Sequence, residues 1–242
     1  MPRLEFVGNS SYRGATVHVN GVPLAPWHDR STGRIDWATL SKVLDSMPPG
    51  LIVSPNLESP HYPVARYGGM KPVDVSAIIG FHAEFARIAR GFGLIVASPF
   101  EALQEAAYPA IDSERYVKAG AYTHSQNGMD KLTSVNNDAL QPIFDLSDVI
   151  LARCYVTTAF SPAQVRTITK RNIGEAYRVG RGKPIIAVTR PDTLTDGDMA
   201  AQLAECEAQR IHGIAYWLDM NADPAPMHRM MELATMDATR ED

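Results

Sequence analysis

The chain has 242 residues, 45% hydrophobic and 21% charged, with a formal net charge of −4. That length suits one large α/β domain, and the hydrophobic share is enough for a full core but too low for a membrane protein. Acids and bases are interspersed, and no apolar run reaches the roughly 20 residues of a transmembrane helix, so neither a nucleic-acid nor a membrane partner is expected. The nearest basic cluster, Lys170, Arg171, Arg178, Arg181 and Lys183, falls on a helix pattern and its exit, which reads as a solvated helix face. Met1-Pro2-Arg3-Leu4-Glu5 lacks the apolar core of a secretory signal. The expectation is therefore a cytoplasmic protein as encoded, with extracellular or assembly-borne delivery by another route left open. Cys154 and Cys206 belong to no CxxC pair, so no metal and no cofactor is expected, and buried free thiols are the default.

In chain order, Leu4–Val7 and Ala15–Val19 read as weak strands, the second closed by the turn pair Asn20-Gly21. Asp36 caps a helix over Trp37–Met47, stopped by Pro48-Pro49-Gly50. A buried strand follows, Leu51-Ile52-Val53, which turns polar through Ser54, Asn56 and Glu58. Residues 59–73 form a long aromatic loop carrying His61, Tyr62, Arg66 and Tyr67, of the kind that joins binding sites. Asp74 starts a helix to Arg90, and Leu94–Ser98 is the next strand. Three helices are read near Glu101–Ala107, Ser113–Tyr122 and Met129–Phe144. His124, between the last two, reads as a surface or capping residue.

From Asp148 the rhythm is regular. Asp148–Tyr155 is a strand, and Ser161-Pro162 opens a helix to Val179. Lys183–Thr189 is a strand ending at Arg190, and Asp196 or Asp198 caps a helix to Ile211. Gly213–Leu218 is the last strand, and Pro226–Met236 the last helix. Alternating strands and helices predict a parallel sheet covered by helices. No GxGxxG and no P-loop follows a strand, which disfavours a nucleotide-binding open sheet. The expected fold is a single (β/α) TIM-like barrel over residues 1–242, complete or irregular at its N-terminus.

Gly213-Ile214-Ala215-Tyr216-Trp217-Leu218-Asp219 resembles the closing strand of chitinase-like and hyaluronidase-like glycosidase barrels. The stretch from Ile52 to Glu58 is similar in outline to their carboxylate-bearing strand, and Lys183–Val188 to a late strand. Their DxxDxDxE array is absent, and Leu57 separates Asn56 from Glu58 where many retaining glycosidases have Asn-Glu adjacent. The resemblance implies a metal-independent glycosidase acting on an oligo- or polysaccharide, with Trp217 as the floor under a sugar ring.

Glycoside hydrolysis needs two carboxyl groups, one protonated and one ionised. Glu58 and Asp219 both follow strands, whose ends converge in a barrel, and Trp217 shares a face with Asp219 by alternation. Asn56 suits a sugar hydroxyl or the orientation of Glu58, and Tyr62 belongs to the loop beyond. Arg153 and Tyr155 share a face at their strand end. Arg190 suits a carboxylate or a hydroxyl pair, or pins Asp192 or Asp219. Two alternatives stay open. One is a catalytically inactive barrel that binds carbohydrate or serves as a structural module with a protein partner. The other is a lyase or aldolase, whose imine-forming version is disfavoured because Lys183 starts its strand at the wrong end.

Overall fold

The computed structural model describes residues 10–12, 15–17, 19–22, 27, 34–55, 72–99, 137–154, 160–216 and 225–238. Those residues hold three strands near the N-terminus, β1 Ser10–Tyr12, β2 Ala15–Val17 and β3 Val19–Val22. Then come helix α1 Trp37–Asp45, β4 Ile52–Pro55, α2 Pro72–Gly91 and β5 Ile95–Val96. The C-terminal half has α3 Gln141–Leu146, β6 Ile150–Arg153, α4 Pro162–Gly180 and β7 Ile185–Thr189. It closes with α5 Asp196–Ala208, β8 Gly213–Tyr216 and α6 Ala225–Ala238.

Local chemistry explains most of these boundaries. The Asp36 carboxylate accepts from the Thr39 N–H at 3.1 Å and so caps α1 as expected. Ser161 and Gln164 form a reciprocal capping box at the start of α4. At α5 the cap is Thr195, not Asp196 or Asp198, and Asp198 is its partner three residues on. Asn20-Gly21 does not turn the chain. Both lie inside β3, where Gly21 pairs with Ser54 of β4, so parallel pairing overrides the turn preference of the dipeptide. The expected helix Met129–Phe144 lies partly outside the described residues; within them 137–139 are helical, Leu140 is a turn, and α3 restarts with Pro142 in its first turn, where a ring that would break a helix interior is tolerated. The expected strand Leu4–Val7 and the two helices within 101–122 lie outside the described residues.

The strands form two three-stranded parallel sheets, ordered β3-β4-β5 and β6-β7-β8. A parallel bridge between Ala97 and Val149 joins them. Backbone bonds cross this seam from the Ser98 N–H to the Val149 carbonyl at 2.8 Å and from the Asp148 N–H to the Val96 carbonyl at 2.6 Å. Side chains add to them: the Asp148 carboxylate accepts from the Val96 N–H at 2.9 Å, and the Ser98 hydroxyl accepts from the Leu151 N–H at 3.0 Å. β3 to β8 thus follow one another in strict chain order, without the reversal of a doubly wound sheet. At the far side, β1 and β2 lie against β8 while β3 pairs with β4.

The two faces of this sheet differ. One packs under the helices and builds the main core, with Val53, Val96, Ile150, Ile185, Ile214 and Tyr216 against residues such as Phe81, Phe85, Ile173 and Leu203. The other carries Ala97, Val149, Leu151, Ile186, Val188 and Ala215, with Ile52 beside them. Among the described residues no helix residue enters that second cluster, which is built from strand and strand-flanking positions.

Candidate functional site

The helix-free face changes character toward the C-terminal ends of the strands. Side chains alternate along a strand, so Leu151 and Arg153 of β6 share it, as do Ile186, Val188 and Arg190 on β7. The register sets Arg153 opposite Val188, which places Arg190 two residues beyond on the neighbouring strand, roughly 7 Å further along. Two arginines therefore converge where an apolar strand layer ends. Ser54 continues the same face of β4 from Ile52, fully buried, and its hydroxyl donates to the Ser98 carbonyl at 3.0 Å.

Of the residues singled out in the sequence, the structure describes Arg153 and Arg190 and brings both to this end of the sheet. Asn56, Glu58, Tyr62, Tyr155, Trp217 and Asp219 lie outside the described residues. Arg190 is held by a fork-to-fork ion pair with Asp192, at 2.5 Å from Nη2 and 3.2 Å from Nε. A single 3-10 turn, Pro191–Thr193, delivers that carboxylate, and the Thr193 hydroxyl ties back to the Arg190 carbonyl at 2.8 Å. Asp192 thus pins Arg190, while Asp219 lies outside the described residues.

Several polar residues not singled out in the sequence stand behind this end. The Asn172 amide of α4 donates to the Arg153 carbonyl at 2.8 Å. The Gln202 amide of α5 donates to the Cys154 carbonyl at 2.8 Å and to the Thr169 hydroxyl at 3.4 Å. Its oxygen accepts from the Thr189 hydroxyl at the end of β7. Asn172, Thr169, Thr189 and Gln202 are all buried.

The opposite end of the sheet is polar for structural reasons. The Lys183 ammonium donates to the carbonyls of Phe144, Asp145 and Ser147, each at 2.6 Å, and so closes the C-terminus of α3. Burial holds its pKa below the usual lysine value, against the pull of Asp145 and Asp148. This lysine stands away from the arginines, at the start of β7, where the sequence put it. Cys154 and Cys206 are free, buried thiols, and burial pushes Cys206 up to about 12, which leaves it unreactive. Among the described residues no group of three His, Cys, Asp or Glu side chains converges as a metal site. No described helix is long and apolar enough to cross a membrane.

No family model and no curated protein matches the chain. Solved structures do. A crystal structure of bee venom hyaluronidase matches with a TM-score of 0.53 at 13% identity, over 85% of this chain and 73% of that one. The bee venom hyaluronidase structure in complex with a hyaluronic acid tetramer matches with a TM-score of 0.55 at 14% identity, over 97% and 82%. A GH5-4 broad-specificity endoglucanase from an uncultured bacterium matches with a TM-score of 0.46 at 10% identity, over 90% and 80%. At these identities the likeness to the hyaluronidase is one of fold alone.

Proposed function

We propose that the chain is a glycosidase-like hydrolase working at the C-terminal mouth of a single (β/α) barrel. Strict chain order from β3 to β8 supports that architecture, as does the place of β2 beside β8 while β3 pairs with β4. The observation that carries the function is the helix-free face, apolar along β6 and β7 and ending in Arg153 and Arg190. A mouth of this kind offers an oriented cation for the hydroxyl or carboxylate groups of a sugar. Bee venom hyaluronidase, which shares the fold, has been crystallised with a hyaluronic acid tetramer.

In this reading Glu58 is the general acid and base, and Asp219 the second carboxylate. Asn56, Tyr62, Tyr155, Arg153 and Arg190 hold sugar hydroxyls, and Trp217 gives a ring an apolar floor. The separation of the two carboxylates sets retention or inversion at the anomeric carbon. The Arg190–Asp192 ion pair favours a second reading, in which a pinned arginine only shapes a glycan-binding or structural module of a larger assembly.

The test is a hydrolysis screen over a broad panel of oligo- and polysaccharides, hyaluronan included, with wild type beside Glu58→Gln. A cut substrate, with the folded variant slower by roughly a hundredfold or more, is the expected result. Equal behaviour of the two proteins on every substrate removes the hydrolase reading and leaves glycan or partner binding.

A further inference from the structure

We infer that Gln202 and Asn172 are positioning residues, which set the ends of β6 and β7 from behind the sheet. Consecutive carbonyls of a strand point to opposite edges. Asn172 takes the carbonyl of Arg153 and Gln202 takes that of Cys154, so two covering helices grip successive peptide groups of one strand end. The Cys154 N–H still pairs with the Val188 carbonyl at 2.8 Å. The Cys154 carbonyl receives the Gln202 amide, whose other end accepts from the Thr189 hydroxyl just before Arg190. One side chain therefore locks the last residue of β7 to the first residue past β6.

The placement is specific. Asn172, Thr169 and Gln202 lie on the buried faces of α4 and α5, among Ile168, Ile173, Met199 and Leu203, where apolar side chains would fill the space without needing partners. A buried amide is tolerated there only when its bonds are made, and these go to the backbone that carries Arg153 and Arg190. Neither residue touches the helix-free face, so both act through that backbone. Any effect on turnover rests on the glycosidase reading, whereas the effect on the strand ends does not.

The experiment compares wild type with Gln202→Met, which keeps length and loses every bond, and with Lys183→Met, which loosens the opposite end of the sheet. Thr189→Val, isosteric and suited to a strand, replaces Gln202→Met if that variant does not fold. Amide hydrogen exchange is followed by NMR, and thermal unfolding alongside it. Expected is a tenfold or greater loss of protection at the Cys154 amide, which donates to the Val188 carbonyl, in Gln202→Met, with the amides inside β7 unchanged relative to Lys183→Met. Uniform loss across the sheet, or none, overturns the inference. On whichever panel sugar wild type cuts, kcat/KM falls roughly tenfold to a hundredfold in Gln202→Met, well below its unfolding temperature, and holds in Lys183→Met. Unchanged kinetics beside locally lost protection overturns the link to catalysis. If wild type cuts nothing, the glycosidase reading fails, while the exchange data still decide whether the strand ends are held this way.

Discussion

His82 is fully buried on α2, stacked on Phe85, and its two nitrogens have unequal surroundings. Nε2 lies 3.0 Å from the Ser147 hydroxyl, and that hydroxyl donates to the Ile143 carbonyl at 2.8 Å. The serine proton being committed, Nε2 carries the imidazole hydrogen and Nδ1 is the bare nitrogen, without a hydrogen-bond partner among the described residues. A second proton would enter a buried site near Arg90 and Lys183, with Asp148 the opposing charge among the described residues. Burial, reinforced by Arg90, pushes the His82 pKa down to about 3. The unfolded chain takes up that proton near the ordinary value of about 6.5. His82 therefore contributes stability in full above about pH 6.5, and loses it as the pH falls toward 3, by at most about 1.4 kcal/mol per pH unit. Urea unfolding at pH 7.5, 5.5 and 4.5 should show a shallower acid decline in His82→Gln than in wild type, and parallel declines would refute the assignment. His82, Asn172 and Gln202 share a signal that was present in the sequence, a polar residue on the apolar stripe of a helix. Pattern alone does not say whether such a residue serves a partner or a ligand, because its partners are carbonyls and hydroxyls distant in sequence.

α4 offers a paired test at the scale of one element. Its two glycines, Gly174 inside the helix and Gly180 its last residue, have opposite surroundings. A Cβ on Gly174 would meet nothing within 4 Å, whereas on Gly180 it would stand 3.1 Å from Ile150 Cγ1 and 3.3 Å from Ile185 Cδ1. Both isoleucines are fully buried, at the starts of β6 and β7, with no room to retreat. Gly174→Ala should therefore raise stability by about 0.5–1 kcal/mol through helix propensity. Gly180→Ala should lower it by about 1 kcal/mol or more, since overpacking outweighs the same gain. Denaturant midpoints of the two variants moving in the same direction would contradict this packing. Helix starts were legible wherever one residue type dominates, as at Asp36 and at Ser161-Pro162. They were ambiguous in Thr195-Asp196-Gly197-Asp198, where three residues all favour a cap and only the path of the chain selects Thr195. The glycine contrast was invisible, because close approach of a helix to two strands is a tertiary fact.

At the scale of the molecule, the alternation of strands and helices made a helix-covered parallel sheet legible, and the strand order agrees with a singly wound arrangement. The seam was not legible. β5 has only two residues, and the side chains of Asp148 and Ser98 supplement a short run of backbone bonds between it and β6, an arrangement that hydrophobic pattern cannot register. A weak ladder at midsheet raises the question of whether the two three-stranded halves unfold separately. The core answers it physically. One continuous apolar cluster runs from Trp27, Leu40 and Phe85 through Phe144 and Ile150 to Ile214 and Met230, crossing the seam on the helix side. Parting the halves would expose Val96, Phe144 and Ile150 together, at about 1.5–3 kcal/mol for each large side chain, more than the lost ladder rungs save. The halves should therefore melt as one unit. Trp27 and Trp37, packed on Phe81, report the first half once Trp217→Phe removes the third tryptophan. Cys154 and Cys206, both buried, report the second through their reaction with an aromatic disulfide reagent. In urea, tryptophan fluorescence and pulsed thiol labelling should change at one midpoint. Two separated midpoints would mean that the sheet divides at Ala97 and Val149, and that residues 1–242 are not a single domain.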